Sequence, residues 1–308
     1  MAGPNGSGKT SLIEDLIELG HLMQPPISLP KRVINPDEVR KSPEILALVS
    51  STKNLDQLAQ KLAYQQRQAL ISARGSFAFE TVMSHPSRLV ELRQLRDQGY
   101  SVYLIFITTN SPNINVDRVK FRVLSQTTTG HDVPERNIRE RYYRTLNLLP
   151  AAIELADHSV LYDNSYSGQA RSQQAHISRA NLKTTGTYDV VSVESPEDWV
   201  RVALERITAR AAQRTALFHV ATNLHADIQL ANPVDGAYRG KLVHCGADYF
   251  GLLDTLGQRS VLTVHDRLML IPPQQQLLQE RLHDHAGRDT EINYRPNAEP
   301  AIRDAPAV

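Results

Sequence analysis

Apolar residues in the first two-thirds of the chain follow two alternating patterns. Helical spacing occurs over 11–19 and 54–75, and again after Pro86, which suits the first turn of a helix that ends near Gly99. The stretch 100–108 is almost continuously apolar and predicts a strand buried on both faces, as in a parallel sheet. Shorter strands are predicted at 33–34, 76–79, 159–165 and 190–193. This alternation predicts an α/β fold with a doubly wound parallel sheet.

The pattern changes after a helix predicted from 195 to about Arg214. The first domain is therefore assigned to 1–214, with the polar stretch 166–186 as an exposed excursion. Closely spaced strand-like segments, separated by turn signals, then predict a small antiparallel β module over 215–285. Its last part, 274–285, is predicted to be a helix. A Pro- and Ala-rich tail, 286–308, is predicted to be disordered.

One stretch near the start of the chain carries a ligand-binding pattern. Gly3-Pro4-Asn5-Gly6-Ser7-Gly8-Lys9-Thr10 fits the phosphate-binding pattern G-x-x-x-x-G-K-[ST] and leads through Ser11 into a predicted helix. Its glycines let backbone N–H groups point inward and bind an anion at the positive end of the helix dipole. Lys9 is expected to reach the β- and γ-phosphates of ATP, and the Thr10 hydroxyl to bind Mg²⁺. The alternative, a simple glycine-rich turn, explains the complete pattern poorly.

The loop lacks part of its usual context. A phosphate-binding loop follows a buried strand, but only Met1 and Ala2 precede Gly3, too few to form one. Either the chain lacks the first strand of its sheet, or upstream residues supply it. Upstream in-frame residues that encode an apolar strand are expected to raise both stability and ATP affinity.

Two predicted strands end in acids. Asn35-Pro36-Asp37-Glu38 follows one, and Glu80 with Thr81 follows another. The C-terminal ends of strands line the ligand crevice of open α/β sheets, so these residues are expected there. Asp37 is a candidate general base. The alternative is that Asp37 is the N-cap of a helix, and the residues alone fit the two roles equally well. Glu80 and Thr81 are candidate substrate-binding residues, with Glu80 also able to orient Mg²⁺ through water; an acid bonded by backbone N–H groups is the alternative.

Arginines are concentrated on two predicted helices that follow the strand at 100–108. A single helical arginine is usually solvated. As a group they are typical of a mobile lid whose guanidinium groups bind a transferred phosphoryl group. Arg139 is the first candidate for this catalytic role, with Arg122 reaching from the preceding helix. Arg136, on the same helix face as Arg139, is a candidate substrate-binding residue. Arg141 is a further lid candidate, although a single helix cannot direct all of these arginines at one phosphate.

Composition limits the partners only broadly. The formal net charge is +1, so bulk electrostatics indicates neither a nucleic acid nor an acidic partner. The single cysteine, Cys245, excludes an intrachain disulfide and a cysteine-rich zinc site, which suits a reducing cytoplasm. No apolar run approaches the length of a membrane span, and no leader pattern is present, so a cytoplasmic protein with no membrane partner is expected.

Several short motifs together resemble the zeta-toxin-like P-loop kinases. They are AGPNGSGKT from Ala2, INPDE from Ile34, FET from Phe79, GHDVPE from Gly130 with the RERYYR run after it, and YDNS from Tyr162. The resemblance implies a kinase that transfers phosphate from ATP, with Mg²⁺, to a sugar hydroxyl of UDP-N-acetylglucosamine. It also implies a toxin restrained by an antitoxin protein, and it makes Asp37 the catalytic aspartate. The GHDVPE branch differs from the plasmid toxins in its lid and substrate loops.

The C-terminal part resembles the small KfrB-type β domain of plasmid-borne proteins, through GAYRGKL from Gly236 and VHDRL from Val264. This resemblance implies residence on a mobile element and a binding role, and makes the module the only expected contact with nucleic acid. Two other functions therefore compete with the kinase. One is a nucleotide-driven ATPase switch, and the other is a plasmid-maintenance protein whose binding to DNA or protein is regulated by nucleotide.

Overall fold

A computed structural model describes most of the chain: residues 1–19, 30, 33–48, 52–125, 133–180, 187–256, 259–270, 287, 289–294 and 302–304. Two predicted features lie outside these residues. They are the first half of the GHDVPE motif, Gly130 to Asp132, and the helix at 274–285.

The first part of the chain alternates helices and strands, as its polarity pattern predicts. Its helices are α1 Lys9–Leu19, α2 Pro36–Arg40, α3 Pro43–Leu48, α4 Thr52–Ser72, α5 Ser87–Asp97, α6 Pro112–Leu124, α7 Glu135–Leu155 and α8 Asp198–Asn223. Its strands are β1 Val33–Ile34, β2 Ala78–Phe79, β3 Tyr103–Thr108, β4 His158–Asp163, β5 Ser172–Ser178 and β6 Asp189–Ser192. Among these described helices, none is long and apolar enough to cross a membrane.

The strands that carry the sequence motifs are parallel. β1 pairs with β2 and β3 pairs with β4, each in parallel register. Ala2 lies between the two pairs and forms parallel bridges with Thr81 and Phe106. Its N–H donates to Ile105 O (2.8 Å), and its carbonyl accepts from Ile107 N (3.0 Å). The predicted α/β fold with parallel strands is therefore confirmed, and residues 1–3 form backbone bonds between β2 and β3 without forming a named strand.

The N-terminal ends of β2 and β3 are separated next to Met1. A cavity of about 530 Å³ lies there, with Met1, Phe79 and Leu104 among its lining residues. The Met1 amino group donates to Phe79 O at 3.0 Å. Backbone pairing at Met1–Gly3 thus joins β2 to β3 at the phosphate-loop end of the sheet.

The sequence prediction of an exposed excursion over 166–186 is wrong for part of that range. β5 pairs antiparallel with β4, and β6 pairs antiparallel with β5. Ala175 and Ile177, at alternate positions of β5, are buried in the core. These are the two apolar residues of the strand, and its other residues are polar, so the alternating pattern that predicts a strand is weak here.

Helices cover both faces of the sheet. Leu12 and Leu16 of α1 pack on Ile105 and Ile107 of one face. The opposite face, which includes Phe106, packs on α5, α7 and α8. Alternate residues of β3 therefore enter two different cores, which explains its continuous apolar character.

The C-terminal part forms a second, six-stranded sheet in the order β12-β11-β8-β9-β10-β7. Its elements are β7 Ala226–Leu230, β8 Ala237–Cys245, β9 Tyr249–Leu256, β10 Arg259–Asp266, a 3-10 turn Arg267–Met269, β11 Asp289–Asn293 and β12 Ile302–Asp304. The expected β-rich module is present, although β7 pairs with β10 in parallel and not in the expected antiparallel sense.

Two boundaries of the predicted domain organisation differ from the structure. The boundary at 214 falls inside α8, which continues to Asn223 because Leu217 and Ala221 pack under the second sheet. In the predicted disordered tail, β11 pairs with β8 and buries Ile292 in the core of the module. Short strands such as these gain their stability from sheet pairing, which local composition does not show.

Candidate active site

The phosphate-binding loop, residues 3–10, fits closely against its surroundings. A Cβ atom at Gly3 would overlap the backbone carbonyl of Ile107 in β3. Gly6 has φ +77°, and a Cβ there would lie 2.5 Å from Asn115 O of α6. Glycine is required at these positions because neither the backbone conformation nor the space suits a side chain.

Two asparagines fix the loop from outside. Asn115 Nδ2 donates to Asn5 O (2.6 Å), and Asn164 Nδ2 donates to Ser7 O (2.9 Å). Asn115 lies on α6 and Asn164 directly follows β4. These bonds occupy two loop carbonyls, so the loop can direct its N–H groups toward an anion.

Lys9 begins α1 and is only 8 % exposed. Its Nζ donates to Pro4 O (3.0 Å) and lies 3.8 Å from Glu80 Oε1. Burial lowers the pKa of Lys9, whereas Glu80 and Asp37 raise it and Arg122 lowers it. Four residues predicted for the site, Lys9, Asp37, Glu80 and Arg122, therefore lie close enough to interact electrostatically.

Glu80 links the loop to the strand-end acids. Its Oε2 accepts from Thr10 Oγ1 (3.3 Å) and from Asn35 Nδ2 (2.9 Å). A hydroxyl beside a carboxylate is an oxygen donor set that suits Mg²⁺. Among the residues that the structure describes, the partners of this carboxylate are side chains and not the backbone N–H groups of the alternative interpretation. No group of three or more His, Cys, Asp or Glu that could bind a metal occurs within the described ranges.

Asp37 lies in the first turn of α2, just after β1. The helix is capped by Asn35, whose side chain accepts from Asp37 N at 2.9 Å. Asn35 therefore provides the cap of α2. The N-cap role, which was the alternative to a role of Asp37 as general base, does not need the Asp37 carboxylate. It is exposed, and its negative charge raises the pKa of Lys9 in the phosphate loop.

Arg118 and Arg122 lie one turn apart on α6. Arg118 Nη1 and Arg122 Nε are buried, and neither has a hydrogen-bond partner among the residues that the structure describes. Arg122 interacts with Lys9, and Arg118 with Asp163 at the end of β4. Buried guanidinium donors without a protein acceptor suit the oxygen atoms of a phosphorylated ligand.

The arginines of α7 point in different directions. Arg141 Nη1 donates to Asn5 Oδ1 in the phosphate loop at 3.2 Å. Arg139 bonds Glu135 (2.8 Å) and Asn113 (2.7 Å), and Arg136, which is 87 % exposed, bonds Glu140 (2.6 Å). Of the three, Arg141 is the one with a bond to the loop.

The remaining predicted residues lie at the edges of the site. Thr81 makes backbone bonds with Met1 and Gly3, and its hydroxyl accepts from Met83 N at 3.1 Å. Ser11 is exposed on the first turn of α1. Pro4 is buried and provides the carbonyl that binds Lys9.

The residues of this site fall within a region that matches a known protein family. The family model described as zeta toxin matches residues 1–166, more than half of the chain. The chain belongs to the zeta toxin family. Members of this family are kinase-like toxins of toxin–antitoxin systems, which agrees with a phosphate-binding loop at the centre of the site.

Seven chains of solved structures also match. One comes from a study of the PezAT chromosomal toxin–antitoxin system of Streptococcus pneumoniae. It is 16 % identical, with a TM-score of 0.40, and the match covers 69 % of this chain and 87 % of that chain. No curated protein sequence matches.

Sequence reasoning assigned no role to four residues of the site: Asn35, Asn115, Arg118 and Asn164. Asn35 and Asn164 directly follow strands, the position that already indicated Asp37 and Glu80. Arg118 is one turn before Arg122, so helical spacing could have identified it. Asn115 carries no local signal, because its role depends on where α6 packs.

Proposed function

We propose that this zeta toxin family member is an ATP-dependent kinase that phosphorylates a hydroxyl of a small molecule. The observation that carries the proposal is the grouping of Lys9, Asp37, Glu80 and Arg122 beside the phosphate-binding loop. This set offers a cation for the phosphates, a carboxylate for the acceptor proton and an arginine for the transferred group. Phosphoryl transfer needs mainly such positioning and charge stabilisation.

In the proposed reaction the acceptor hydroxyl oxygen attacks the γ-phosphorus of ATP. The new oxygen–phosphorus bond forms as the bond to the β,γ-bridging oxygen breaks, and ADP leaves. Asp37 accepts the proton that the hydroxyl loses. Lys9 and Arg122 stabilise the negative charge on the phosphate oxygens, and Arg141 contributes from α7.

Thr10 and Glu80 would hold Mg²⁺, which when bound neutralises charge on the donor phosphates. Asn35 orients Glu80 for this role through its amide bond. Thr81 follows Glu80 at the end of β2 and is proposed to contact the acceptor. Arg136 and Arg139 are proposed to contact substrate only after their present ion pairs with Glu140 and Glu135 open.

We propose the sugar of UDP-N-acetylglucosamine as the acceptor, on the basis of the family. The same basis supports an antitoxin protein that restrains the enzyme. A sugar nucleotide supplies both a hydroxyl for transfer and phosphates that attract the arginine-rich helices α6 and α7.

The test is to incubate the protein with ATP, Mg²⁺ and a panel of sugar nucleotides, and to measure by mass spectrometry the gain of one phosphate. Phosphorylated UDP-N-acetylglucosamine is expected. Asp37→Asn should reduce the rate by roughly 10²–10⁴-fold, because the amide cannot accept the proton. Glu38→Gln is the matched control, since it changes the adjacent acid of the same helix turn.

Two results would contradict the proposal. One is a folded protein that hydrolyses ATP but phosphorylates no acceptor, as an ATPase switch would. The other is an Asp37→Asn variant that transfers phosphate as fast as the parent protein. Phosphorylation of a different acceptor would retain the kinase and reject the sugar nucleotide.

A further inference from the structure

Helix α7 connects the phosphate loop with the C-terminal sheet. Near its N-terminal end, Arg141 Nη1 donates to Asn5 Oδ1 of the loop (3.2 Å). One turn later, Thr145 Oγ1 donates to Val82 O (2.9 Å), two residues after Glu80. At its C-terminal end, Glu154 is 8 % exposed and faces α8 and the second sheet.

Glu154 belongs to a buried ionic cluster. Arg210 of α8 is 0 % exposed, and its Nη2 lies 2.8 Å from Glu154 Oε2 and 2.7 Å from Asp266 Oδ2 of β10. Its Nη1 lies 3.0 Å from Asp248 Oδ1, between β8 and β9. The Tyr249 hydroxyl of β9 donates to Glu154 Oε2 at 2.9 Å. A single arginine thus connects α7 with three positions of the second sheet.

The cluster is balanced in charge. Arg206 and Arg214, one turn before and after Arg210 on α8, join it. Arg206 bonds Asn147 Oδ1 of α7 (2.8 Å) and lies 3.2 Å from Asp248 Oδ1, and Arg214 pairs with Glu154. Three arginines therefore face three carboxylates. Burial lowers the pKa of Arg210, but the negative charges of Asp266 and Glu154 outweigh this effect and raise the pKa above its ordinary value.

The segment of α7 between its two attachments contains Pro150. Proline has no N–H, so one i to i−4 hydrogen bond of the helix is missing at this point, and the ring crowds the preceding turn. Sharp kinks in helices occur mostly at proline, so the angle between the two halves of α7 depends on what holds each half in place. Contacts at both ends must therefore determine where Arg141 lies.

We propose that the C-terminal sheet is a brace for α7, and that Glu154 and Arg210 are positioning residues that set Arg141 against the phosphate loop. This inference rests on the proposed phosphoryl transfer. The cluster acts through α7 and touches no substrate. Its expected effect is on kcat more than on KM, because Arg141 matters most where charge develops on the transferred group.

A buried cluster could also serve stability alone. Removing Arg210 would leave Asp266 without its arginine partner and would take one of two arginines from each of Glu154 and Asp248, so that variant is expected to fold poorly. Milder variants avoid this problem. Glu154→Gln keeps the size of the side chain, and Tyr249→Phe removes one hydroxyl from the side of the second sheet.

The test is a double-mutant cycle between the brace and Arg141. We expect Glu154→Gln to lower kcat on the order of 10- to 100-fold with the folded state retained, and Tyr249→Phe to lower it less. In an Arg141→Ala background, Glu154→Gln should have little further effect, because the side chain it positions is gone. Arg201→Gln is the control for loss of a charged group outside the cluster, since Arg201 is an exposed, ion-paired arginine of α8, the helix that carries Arg210.

The outcomes separate this inference from the proposed function. A parent protein that phosphorylates no acceptor overturns the proposed function, and the same cycle is then measured on the Kd of ATP·Mg²⁺. Losses that multiply independently in the double variant overturn the brace, as does a folded Glu154→Gln protein with parental kcat and parental Kd. Tyr249→Phe, measured in the same cycle, decides the question if Glu154→Gln does not fold.

Discussion

At the scale of single residues, the site depends on small side chains that allow close approach. Gly3 and Gly6 lie against β3 and α6, where a Cβ atom would overlap backbone carbonyls. Two asparagine amides then complete the loop by binding its carbonyls. The glycines are visible in the sequence pattern, but the elements that they approach are not.

Gly6→Ala is predicted to abolish most ATP binding. Alanine there must adopt φ +77° and place its Cβ 2.5 Å from Asn115 O, so the loop or α6 must move. Gly168→Ala is the matched control, because Gly168 has φ +76° and open space around it. Calorimetric titration with ATP should show weak binding for the first variant and parental affinity for the second. Equal affinities would contradict this account of the loop.

At the scale of elements, the short helix α2 delivers Asp37 to the site. Asn35 has two functions at its start: its Oδ1 caps the helix, and its Nδ2 binds Glu80. One side chain therefore connects the end of β1 to the end of β2. Five residues are too few for a stable helix in isolation, so this cap and the packing of α2 on α4 maintain it.

Replacing Asn35 is predicted to separate these two functions. Asn35→Ala should lower stability by about 1 kcal/mol through the lost cap and reduce kcat by roughly tenfold or more through the lost bond to Glu80. Asn35→Ser restores a capping oxygen but cannot reach Glu80, so it should recover stability without recovering activity. Urea unfolding and the kinase assay measure the two effects. Recovery of both by serine would show that the cap alone matters.

At the scale of the whole molecule, the two sheets share their cores. The 26-residue helix α8 packs Trp199 and Ile207 against the first sheet and Leu217 against the second. Leu268, which follows β10, is buried in the core of the first sheet. Shared packing of this kind favours unfolding as one cooperative unit.

Leu268→Ala is therefore predicted to destabilise the whole chain, by about 2–5 kcal/mol. Trp199, the single tryptophan, lies in the first core and reports on it by fluorescence, while circular dichroism reports on both sheets. The two Tm values should coincide and fall together. Leu230→Ala, at a 57 % exposed position of β7, should leave them unchanged. Two separate transitions, of which only the one seen by fluorescence shifts, would indicate independent domains.

Features that depend on local pattern could be predicted from the order of the amino acids. The sequence predicted the phosphate loop, the buried strand β3 and the acids after β1 and β2. It also predicted the change, beyond 214, from alternating helices and strands to closely spaced strands. Turns, periodicity and motif spacing are local properties, which is why they could be predicted. The family also follows from short motifs that lie in order along the chain. The strands at 172–178 and 289–293 were not predicted, because pairing with neighbouring strands stabilises them and a local pattern does not show it.

Which polar residues meet depends on the packing of elements that are distant in the chain. Six arginines of α6 and α7 look equivalent in the sequence, yet packing directs Arg122 and Arg141 to the loop and leaves Arg136 and Arg139 with nearby acids. Packing also assigned the cap of α2 to Asn35 and joined Glu154 to the second sheet through Arg210. The physical reason is that the direction of a side chain depends on how its helix rotates against neighbours distant in the chain.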